Sequence, residues 1–422
     1  MPNSLLSKKT SMYKPKNINS VLTFYKDQIQ LVVSDDQNQF NILFYQTIDN
    51  DGFYSKQQLK NKLRLKLALN QLVDQANYFL GFKLEKVVVV LAELIDDLKI
   101  HNFKSEIFFT GYDFDHKAMI KKEKQRFCEQ NNQLTVMDTM VLNYHDVINN
   151  KITKSFAFNK SYVANLVAYS SKSNLIGELK FFLKRNVNLK VKKIISHHLA
   201  LANSLSKKQN NMFVYLGQKT TELMLFMDNA LVDVITNQFG KNHFIDIPAN
   251  QENKPLLEFL VDNTTKIGDC YSLGMTYTDG DSYKEIKALT IGDLMQTVSD
   301  KIKTLIDFIN SGSLTFFNKF KTLPKLLYFY TRSKQITNLF QANVALINPQ
   351  FKTVDIYKNK IQFISENYLL SCEAISLQIT NRIKNQISFD FTNADNIQKP
   401  KPKKHFMILS KHLTKFVQRL VK

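Results

Sequence analysis

The chain of 422 residues is 44% hydrophobic and 22% charged, which is ordinary for a globular protein and excludes general disorder away from the ends. Its length predicts two or three domains. The net charge of +20 favours anionic partners such as nucleic acid, an anionic membrane or acidic peptides. The alternative explanation of this charge is a general compositional bias, because Lys is abundant throughout the chain together with Asn, Ile and Phe. Three cysteines far apart in sequence, Cys128, Cys270 and Cys372, give neither metal-site nor disulfide spacing and fit a reducing compartment.

No apolar stretch is long enough to span a membrane. The longest clean run, "VVVVLA" at residues 87–92, is far shorter than the roughly 20 residues that a spanning helix needs. The stretch "MPNSLLSKKTSMYKPK" lacks the apolar centre of a secretory signal. We therefore expect a cytoplasmic protein whose contact with a membrane depends on a surface element.

The first predicted elements are a strand meander, a helix and a buried strand. Residues 21–49 alternate apolar and polar side chains with turn-like breaks near Asp27 and Asp35, which predicts two or three antiparallel strands. A long helix follows, with Ser55 as its N-cap and Gly81 as its C-terminal stop. The run "KVVVVLA" then predicts a buried strand.

The next segment has a different pattern of predicted elements. Residues 93–160 are rich in short strands and polar turns, and residues 174–209 predict a helix, a strand and a helix. The adjacent pair His197 and His198 lies in the second of these stretches. No cysteine or carboxylate stands at ligand spacing beside the pair, so a structural role is favoured for both and no metal site is predicted.

The second half of the chain repeats the order of the first. Residues 210–240 predict another meander with turns at Gly217 and around Asp228, and helical residues follow at 290–312. Two halves built from a meander and helices predict a duplicated α/β fold with insertions. The repetition is one of architecture, because no residue-by-residue repeat is visible.

The C-terminal stretch "KPKPKKHFMILSKHLTKFVQRLVK" predicts a linker and an amphipathic helix. On a helical projection the basic residues Lys404, Lys411, Lys415, Arg419 and Lys422 lie opposite an apolar face. That face comprises Phe406, Leu409, Leu413, Phe416, Val417, Leu420 and Val421. This pattern is typical of a helix lying in a membrane interface, and the alternative is a last helix docked on the core of the protein.

The order and spacing of three stretches resemble FtsA, the actin-like division protein that anchors FtsZ filaments to the membrane. The stretch "VAYSSKSNLIGELKFFLKRNVNLKVKKIISHHLALANSL" is similar to the helix, strand and helix before the second phosphate hairpin of FtsA. The stretch "MFVYLGQKTTELMLFMDNALVDVITNQFGKNHFIDIPA" follows at the right distance and resembles that hairpin, Asp-Ile-Gly-Gly-Gly-Thr-Thr in the family, and the segment after it. The basic amphipathic C-terminus completes the pattern.

This resemblance implies a two-lobed, actin-like α/β fold with an FtsA-type inserted subdomain and a C-terminal amphipathic helix. The predicted divisions are a flexible leader at 1–17, a first lobe at 18–92 and 161–208, an inserted subdomain at 93–160, a second lobe at 211–240 and 325–390, an outer subdomain at 241–324, a linker at 391–404 and a membrane helix at 405–422.

The nucleotide site that the resemblance implies is incomplete in this sequence. An actin-type site needs glycine-rich phosphate turns and an Asp from each hairpin near Mg²⁺. The first turn, "TFYKDQ", has no glycine, and Tyr215 takes the Asp position of the second. Gly217, Thr220 and Thr221 are the candidate nucleotide-binding residues left, and an ordinary hairpin turn is the favoured explanation of all three.

The third nucleotide-binding element is expected within "LLYFYTRSKQITNLF", where Tyr330 and Arg332 stand in place of glycines. We therefore expect no ATP hydrolysis and no required cofactor, with bound ATP kept as an open alternative. If a nucleotide binds, Lys26 would partly replace the charge of the missing Mg²⁺.

The resemblance as a whole predicts a non-enzymatic adaptor on the inner face of the cell membrane, tethering FtsZ or a similar filament during division. Self-polymerisation is left open. The alternatives are an actin-fold ATP-binding protein or a pilus-assembly relative and, from another class, a basic nucleic-acid-binding protein. Nucleic acid is not expected, because basic residues are clustered only in the tail and that tail also has an apolar face.

Overall fold

The computed structural model describes most of the chain between residues 18 and 384. The described ranges are 18–35, 41–55, 58–95, 97–109, 115–148, 151–153, 156, 159–201, 210–227, 230–245, 291–357 and 368–384. The predicted leader, linker and membrane helix, with all of the membrane-binding residues named above, lie outside these ranges.

The predicted first meander is confirmed. Strands β1 (Ile18–Phe24), β2 (Gln28–Asp35) and β3 (Asn41–Asp49) pair antiparallel in that order. The Tyr25 N–H donates to the Gln28 carbonyl at 2.8 Å and closes the turn between β1 and β2. Lys26 and Asp27 therefore lie in this first turn, at the carboxyl end of β1.

Helix α1 (Lys62–Leu80) begins later than the sequence predicts, so the assignment of Ser55 as its N-cap is wrong. Asn61 is the N-cap, and its side chain accepts from the Arg64 N–H. The residues before it form a loop instead, because the N–H groups of Lys60 and Asn61 donate to the carbonyl of Phe53. Gly81 ends the helix in the left-handed conformation with φ of 71°, as predicted.

The first lobe is built on a sheet with the order β3-β2-β1-β4-β9. The predicted buried strand is β4 (Lys86–Leu91), which runs parallel to β1 and to β9 (Lys190–Ser196). The predicted helix, strand and helix are confirmed as far as residue 201. Helices of this lobe also include α3 (Asn174–Asn186), α4 (His197–Leu201) and α8 (Leu369–Lys384), the last packing on β1 and β2.

The second lobe repeats this topology, with the order β12-β11-β10-β13-β14. A meander pairs antiparallel, and two further strands pair parallel beside it. The strands are β10 (Asn211–Leu216), β11 (Thr221–Met227), β12 (Ala230–Asn237), β13 (Leu326–Thr331) and β14 (Thr353–Ile356). The architectural duplication expected from the two meanders is therefore present.

Within the described residues, the helices of the second lobe are α5 (Lys241–Ile245), α6 (Ile291–Phe320), α7 (Lys334–Ala342) and a short 3₁₀ turn (Val344–Leu346). Ile302, Leu305 and Phe316 of α6 are buried in the core of this lobe. The described part of the predicted outer subdomain, 241–324, thus includes a helix that packs directly on the second sheet.

A third sheet separates β4 from α3 in the chain and has the order β5-β8-β6-β7. Its elements are β5 (Lys99–Phe109), α2 (His116–Gln130), β6 (Thr135–Asp146), β7 (Ile152–Thr153) and β8 (Lys160–Ser171). This inserted sheet extends past the predicted boundary at residue 160. The reason is that β8 serves two units: it pairs with β5 and β6, while Val167 and Tyr169 are buried in the core of the first lobe.

Among the described residues, no helix has both the length and the apolar character needed to cross a membrane.

Candidate functional site

Three loops meet where the two lobes face each other. The first turn follows β1, a second turn at residues 217–220 joins β10 to β11, and Arg332 follows β13. The Gln218 side-chain amide donates to Asp27 at 3.3 Å, and the Arg332 guanidinium donates to the same carboxylate. The carboxyl ends of parallel strands from both sheets thus form one cleft, and ligands of open α/β sheets bind at such ends.

A carboxylate already occupies the second turn. Glu93 follows β4, with φ of 58°, and accepts from the Tyr215 hydroxyl at 2.9 Å and from the Gln218 N–H at 3.3 Å. A Cβ on Gly217 would lie 2.8 Å from the Glu93 carboxyl carbon, so the glycine makes room for this side chain. A backbone N–H that could bind an oxygen of a phosphate group is therefore bound to an oxygen of Glu93.

The three predicted nucleotide-binding residues have different surroundings. Gly217 lies against Glu93, and its N–H donates to the Thr220 carbonyl at 2.9 Å. The fully buried Thr221 donates its hydroxyl to the carbonyl of Phe239. The Thr221 hydroxyl thus already has a partner in the protein's own backbone, and a role of this residue in nucleotide binding stays a prediction.

Arg332 closes the cleft from the other side. The Nη1 nitrogen of Arg332 lies 3.1 and 3.2 Å from the two oxygens of Asp27. The guanidinium carbon lies 4.5 Å from the ring centroid of Tyr25. Burial disfavours the charged guanidinium, but the hydrogen bond to Asp27 raises the pKa of Arg332 above its usual value overall. The guanidinium thus stays charged, and both oxygens of Asp27 are engaged.

Aromatic side chains fill the floor of the cleft. Tyr25, Tyr215 and Tyr330 are all buried, and the rings of Tyr215 and Tyr330 have centroids 5.8 Å apart. Burial raises the pKa of both Tyr25 and Tyr215, so their hydroxyls stay neutral. The bulky Tyr330, predicted from the sequence to stand in place of glycine, thus takes up space at this point.

A cavity of about 790 Å³ lies beside the first turn but away from these groups. Its lining includes Lys26, Asn50, Tyr54, Asp97 and Lys172, all from the first lobe or its junction with the inserted sheet. None of the three predicted nucleotide-binding residues lines this cavity. It is therefore separate from the second turn.

A buried cluster of His197, His198 and Glu222, here called the His–His–Glu cluster, lies behind the cleft. The two Nε2 atoms are 2.7 and 3.0 Å from the same Glu222 oxygen, Oε2. A carboxylate thus accompanies the histidine pair although none stands at ligand spacing in the sequence, because folding places β11 beside the start of α4. Sequence spacing gives no signal for this contact.

Contacts among the three side chains shift their pKa values. Burial alone would raise the pKa of Glu222, but the two neighbouring imidazoles hold it well below its usual value. Burial alone would lower the pKa of His197, but the Glu222 carboxylate raises it overall. Burial and the charge of His197 lower the pKa of His198. The Glu222 carboxylate thus favours a proton on His197, and the charge of that ring opposes a second proton on His198.

No protein-family model matches the chain. Among solved structures, the chain is similar to the PilM–PilN type IV pilus biogenesis complex, with a TM-score of 0.52 and 9% identity over 87% of this chain and 98% of that chain. It is also similar to the ethanolamine utilization protein EutJ from Carboxydothermus hydrogenoformans, with a TM-score of 0.42 and 10% identity over 86% of this chain and 90% of that chain.

A further similar structure is a Bacteroides thetaiotaomicron protein with an actin-like ATPase fold and unknown function, with a TM-score of 0.36 and 12% identity over 86% of this chain and all (100%) of that chain. At such identities the likeness concerns the fold alone. The chain has an actin-like α/β fold with two lobes, and the finer resemblance to FtsA stays a prediction.

Proposed function

We propose that this protein is a non-catalytic actin-fold adaptor, which binds other macromolecules and does not hydrolyse ATP. The observation that carries this proposal is the Glu93 carboxylate bound to the N–H of Gln218 in the second turn. In an adaptor, contacts within the protein can hold the lobes together without a nucleotide. The Arg332–Asp27 bridge and the Gln218–Asp27 contact are two such contacts, since each joins a residue of the second lobe to the first turn.

Electrostatics explain why ATP is disfavoured at this turn. A phosphate oxygen placed about 4 Å from the Glu93 carboxylate would meet a like charge, at a cost of about 4 kcal/mol for an effective dielectric constant of 20. The carboxylates available to hold Mg²⁺ near the turns, Asp27 and Glu93, already accept hydrogen bonds. A nucleotide would have to displace these contacts before it could bind.

In its finer form the proposal is an FtsA-like role, in which the protein tethers FtsZ or a similar filament to the inner face of the cell membrane. The actin-like fold and the basic amphipathic C-terminal sequence support this role. The net charge of +20 favours an acidic partner segment, as is typical of the FtsZ C-terminus. A pilus-assembly adaptor belongs to the same class and differs in its partner.

Nucleotide binding and turnover test the core of the proposal. The purified protein should show neither ATP hydrolysis nor calorimetric binding of Mg-ATP at millimolar nucleotide. Glu93→Gln removes the like charge and keeps the size of the side chain, so Mg-ATP binding should become measurable in this variant at lower nucleotide concentration than in the parent protein. Turnover by the parent protein that is lost on changing Thr220 and Thr221 would overturn the proposal.

The filament partner is tested separately by pull-down. The protein should capture full-length FtsZ but not an FtsZ that lacks its acidic C-terminal peptide. Equal capture of both forms would contradict the proposed mode of binding. Capture of neither form, together with binding to a pilus-assembly protein, would move the assignment to the second kind of adaptor.

A further inference from the structure

The His–His–Glu cluster joins the two lobes at a point where all three side chains are shielded from solvent. His197 and His198 open α4 directly after β9 of the first sheet, and Glu222 is the second residue of β11 in the second sheet. Relative exposures are 0% for His197, 2% for His198 and 7% for Glu222. A carboxylate and two imidazoles thus converge inside the protein, from elements that belong to different lobes.

Individual ligand atoms of the three side chains also lie close to one another. One ligand atom from each residue lies within 4.8 Å of the other two, and both Nε2 atoms point to the same oxygen. The His197 and His198 rings are held side by side, with centroids 3.9 Å apart, and Tyr215 packs 4.8 Å from His197. The donors are therefore preorganised by packing.

One polar atom of the cluster is unsatisfied. Within the part of the chain that the structure describes, the buried Nδ1 of His198 has no hydrogen-bond partner. Buried polar atoms are usually paired. The Nε2–H of this ring donates to Glu222, so Nδ1 is left as a bare acceptor that can take up the ring proton when a metal ion displaces it from Nε2.

We propose that His197, His198 and Glu222 bind one divalent transition-metal ion of the zinc class, and that this ion clamps the two lobes together. Two imidazole nitrogens and a carboxylate oxygen form a donor set that Zn²⁺ accepts in proteins. One coordination position is left for a water molecule or for the second oxygen of Glu222. The proposal is independent of the adaptor role, because it concerns only this cluster.

The geometry needs a small adjustment to accept the ion. Zn²⁺ binds His nitrogen and carboxylate oxygen at about 2.0–2.2 Å, which places tetrahedral ligand atoms about 3.3 Å apart. The present separations from the Glu222 oxygen are 2.7 and 3.0 Å. Each ring would therefore shift by less than about 1 Å, and the protons now on the two Nε2 atoms would leave or move to Nδ1 as the metal binds.

The test begins with the unmodified full-length chain, because affinity tags rich in histidine bind metals themselves. After removal of metals with a chelator, Zn²⁺ is titrated in competition with a chromophoric chelator. We expect one equivalent to bind and the melting temperature to rise with Zn²⁺ concentration. Co²⁺ should give visible absorption bands that Zn²⁺ abolishes. If the stripped protein neither binds Zn²⁺ nor melts higher with it, the three residues form only a hydrogen-bonded cluster and the proposal fails.

Variants then locate the ion. Glu222→Gln and His198→Gln should each weaken Zn²⁺ binding at least tenfold, since even partners outside the ligand set contribute about 10–100-fold. His101→Gln, in the inserted sheet, is the matched control and should leave the affinity unchanged. Unchanged affinity in both cluster variants would place the ion elsewhere and overturn the assignment. Should the variants fail to fold, the Co²⁺ and melting measurements on the parent chain still decide the question.

Discussion

Arg332 and Asp27 lie 305 positions apart in the sequence, and one guanidinium nitrogen contacts both carboxylate oxygens at 3.1 and 3.2 Å. Arg332 extends from the end of β13 in the second lobe, whereas Asp27 lies in the first turn of the first lobe. The pair therefore connects the lobes across the mouth of the cleft. Its side chains are 20% and 39% exposed, so solvent weakens the interaction without removing it.

The first prediction concerns the strength of this bridge. A double-mutant cycle with Arg332→Ala and Asp27→Ala should give a coupling energy of about 1 kcal/mol, because the pair is partly exposed. The measurement is chemical unfolding of the parent, the two single variants and the double variant. Lys303 and Asp300, a pair 3.5 Å apart on α6 with both side chains more than half exposed, serve as the control. A coupling no larger than that of the control would contradict a role for the bridge in holding the lobes.

The second prediction compares two glycines. A Cβ on Gly240 would lie 2.4 Å from the backbone carbon of Lys219 and 2.5 Å from the Thr220 nitrogen. The backbone of the second turn cannot move aside cheaply, so Gly240→Ala should lower the free energy of unfolding by about 1–3 kcal/mol.

The control for that variant is Gly177→Ala. Gly177 is exposed within α3, and a Cβ there would meet nothing within 4 Å. Alanine should therefore raise the stability by about 0.5–1 kcal/mol through its higher helix propensity. Melting curves of both variants check the pair. A Gly240→Ala protein as stable as its parent would show that the backbone at Lys219 and Thr220 can move aside at little cost.

The order of the elements was predictable because it depends on local pattern. Alternation between polar and apolar residues located both meanders, and the run "VVVVLA" located the central strand β4. The start of α1 was not predictable, because the N–H groups of Lys60 and Asn61 donate to the Phe53 carbonyl, a contact that the sequence does not indicate. The inserted sheet was only partly predictable, since β8 belongs to two units and its alternation stops where both faces become buried.

The contacts of the candidate site could not be read from sequence because they join distant residues. Glu93 and Gln218 are 125 positions apart, and the sequence marks Glu93 only as an acidic residue after a buried strand. Such a residue at the carboxyl end of a central strand was an available hint of a cleft position. The contact between His197 and Glu222 spans just 25 positions, yet it depends on how the two lobes pack. Tyr215 and Tyr330, in contrast, were singled out in the sequence through the predicted resemblance to FtsA, and the structure places their buried rings side by side in the cleft.

The third prediction concerns acid sensitivity of the inserted sheet. Burial lowers the pKa of His101, with a smaller effect from Lys99, and burial lowers the pKa of His116 despite the opposing charge of Asp115. The unfolded state therefore binds more protons than the folded state near and below the ordinary histidine pKa of about 6.5. The stability from these neutral rings is present above that pKa and is lost as the pH falls through it.

The measurement is the melting temperature at pH values about one unit on either side of 6.5. The parent protein should lose stability toward the lower pH, and the double variant His101→Gln with His116→Gln should lose less. Hydrogen exchange at β5 and α2 places the effect in the inserted sheet. An identical decrease in parent and variant would assign the acid sensitivity to other groups.

The last prediction concerns the predicted membrane helix, whose residues lie outside the described ranges and whose membrane role is proposed from the sequence pattern alone. Deleting residues 404–422 should leave the melting temperature of the protein unchanged and release it from anionic liposomes. Leu413→Glu with Phe416→Glu should also release it, because each change places a charge at the centre of the predicted apolar face. Co-sedimentation with liposomes, beside a melting curve, is the measurement. A truncated protein that still sediments would rule out the tail as the anchor, and a sharp drop in its melting temperature would assign the helix to the core.

The basic face of this tail should act differently from the apolar face. Changing Lys411, Lys415 and Arg419 to Gln removes about 1 kcal/mol of attraction to an anionic surface for each residue, but keeps the apolar burial. Binding should therefore weaken and lose most of its dependence on salt and on anionic lipid, while some binding to neutral liposomes persists. Because a single helix anchors reversibly, many copies assembled on one filament should bind more tightly than the isolated protein. The comparison of free protein with protein bound to a preformed filament tests this avidity: equal liposome binding in the two cases would show that the tail anchors each copy on its own.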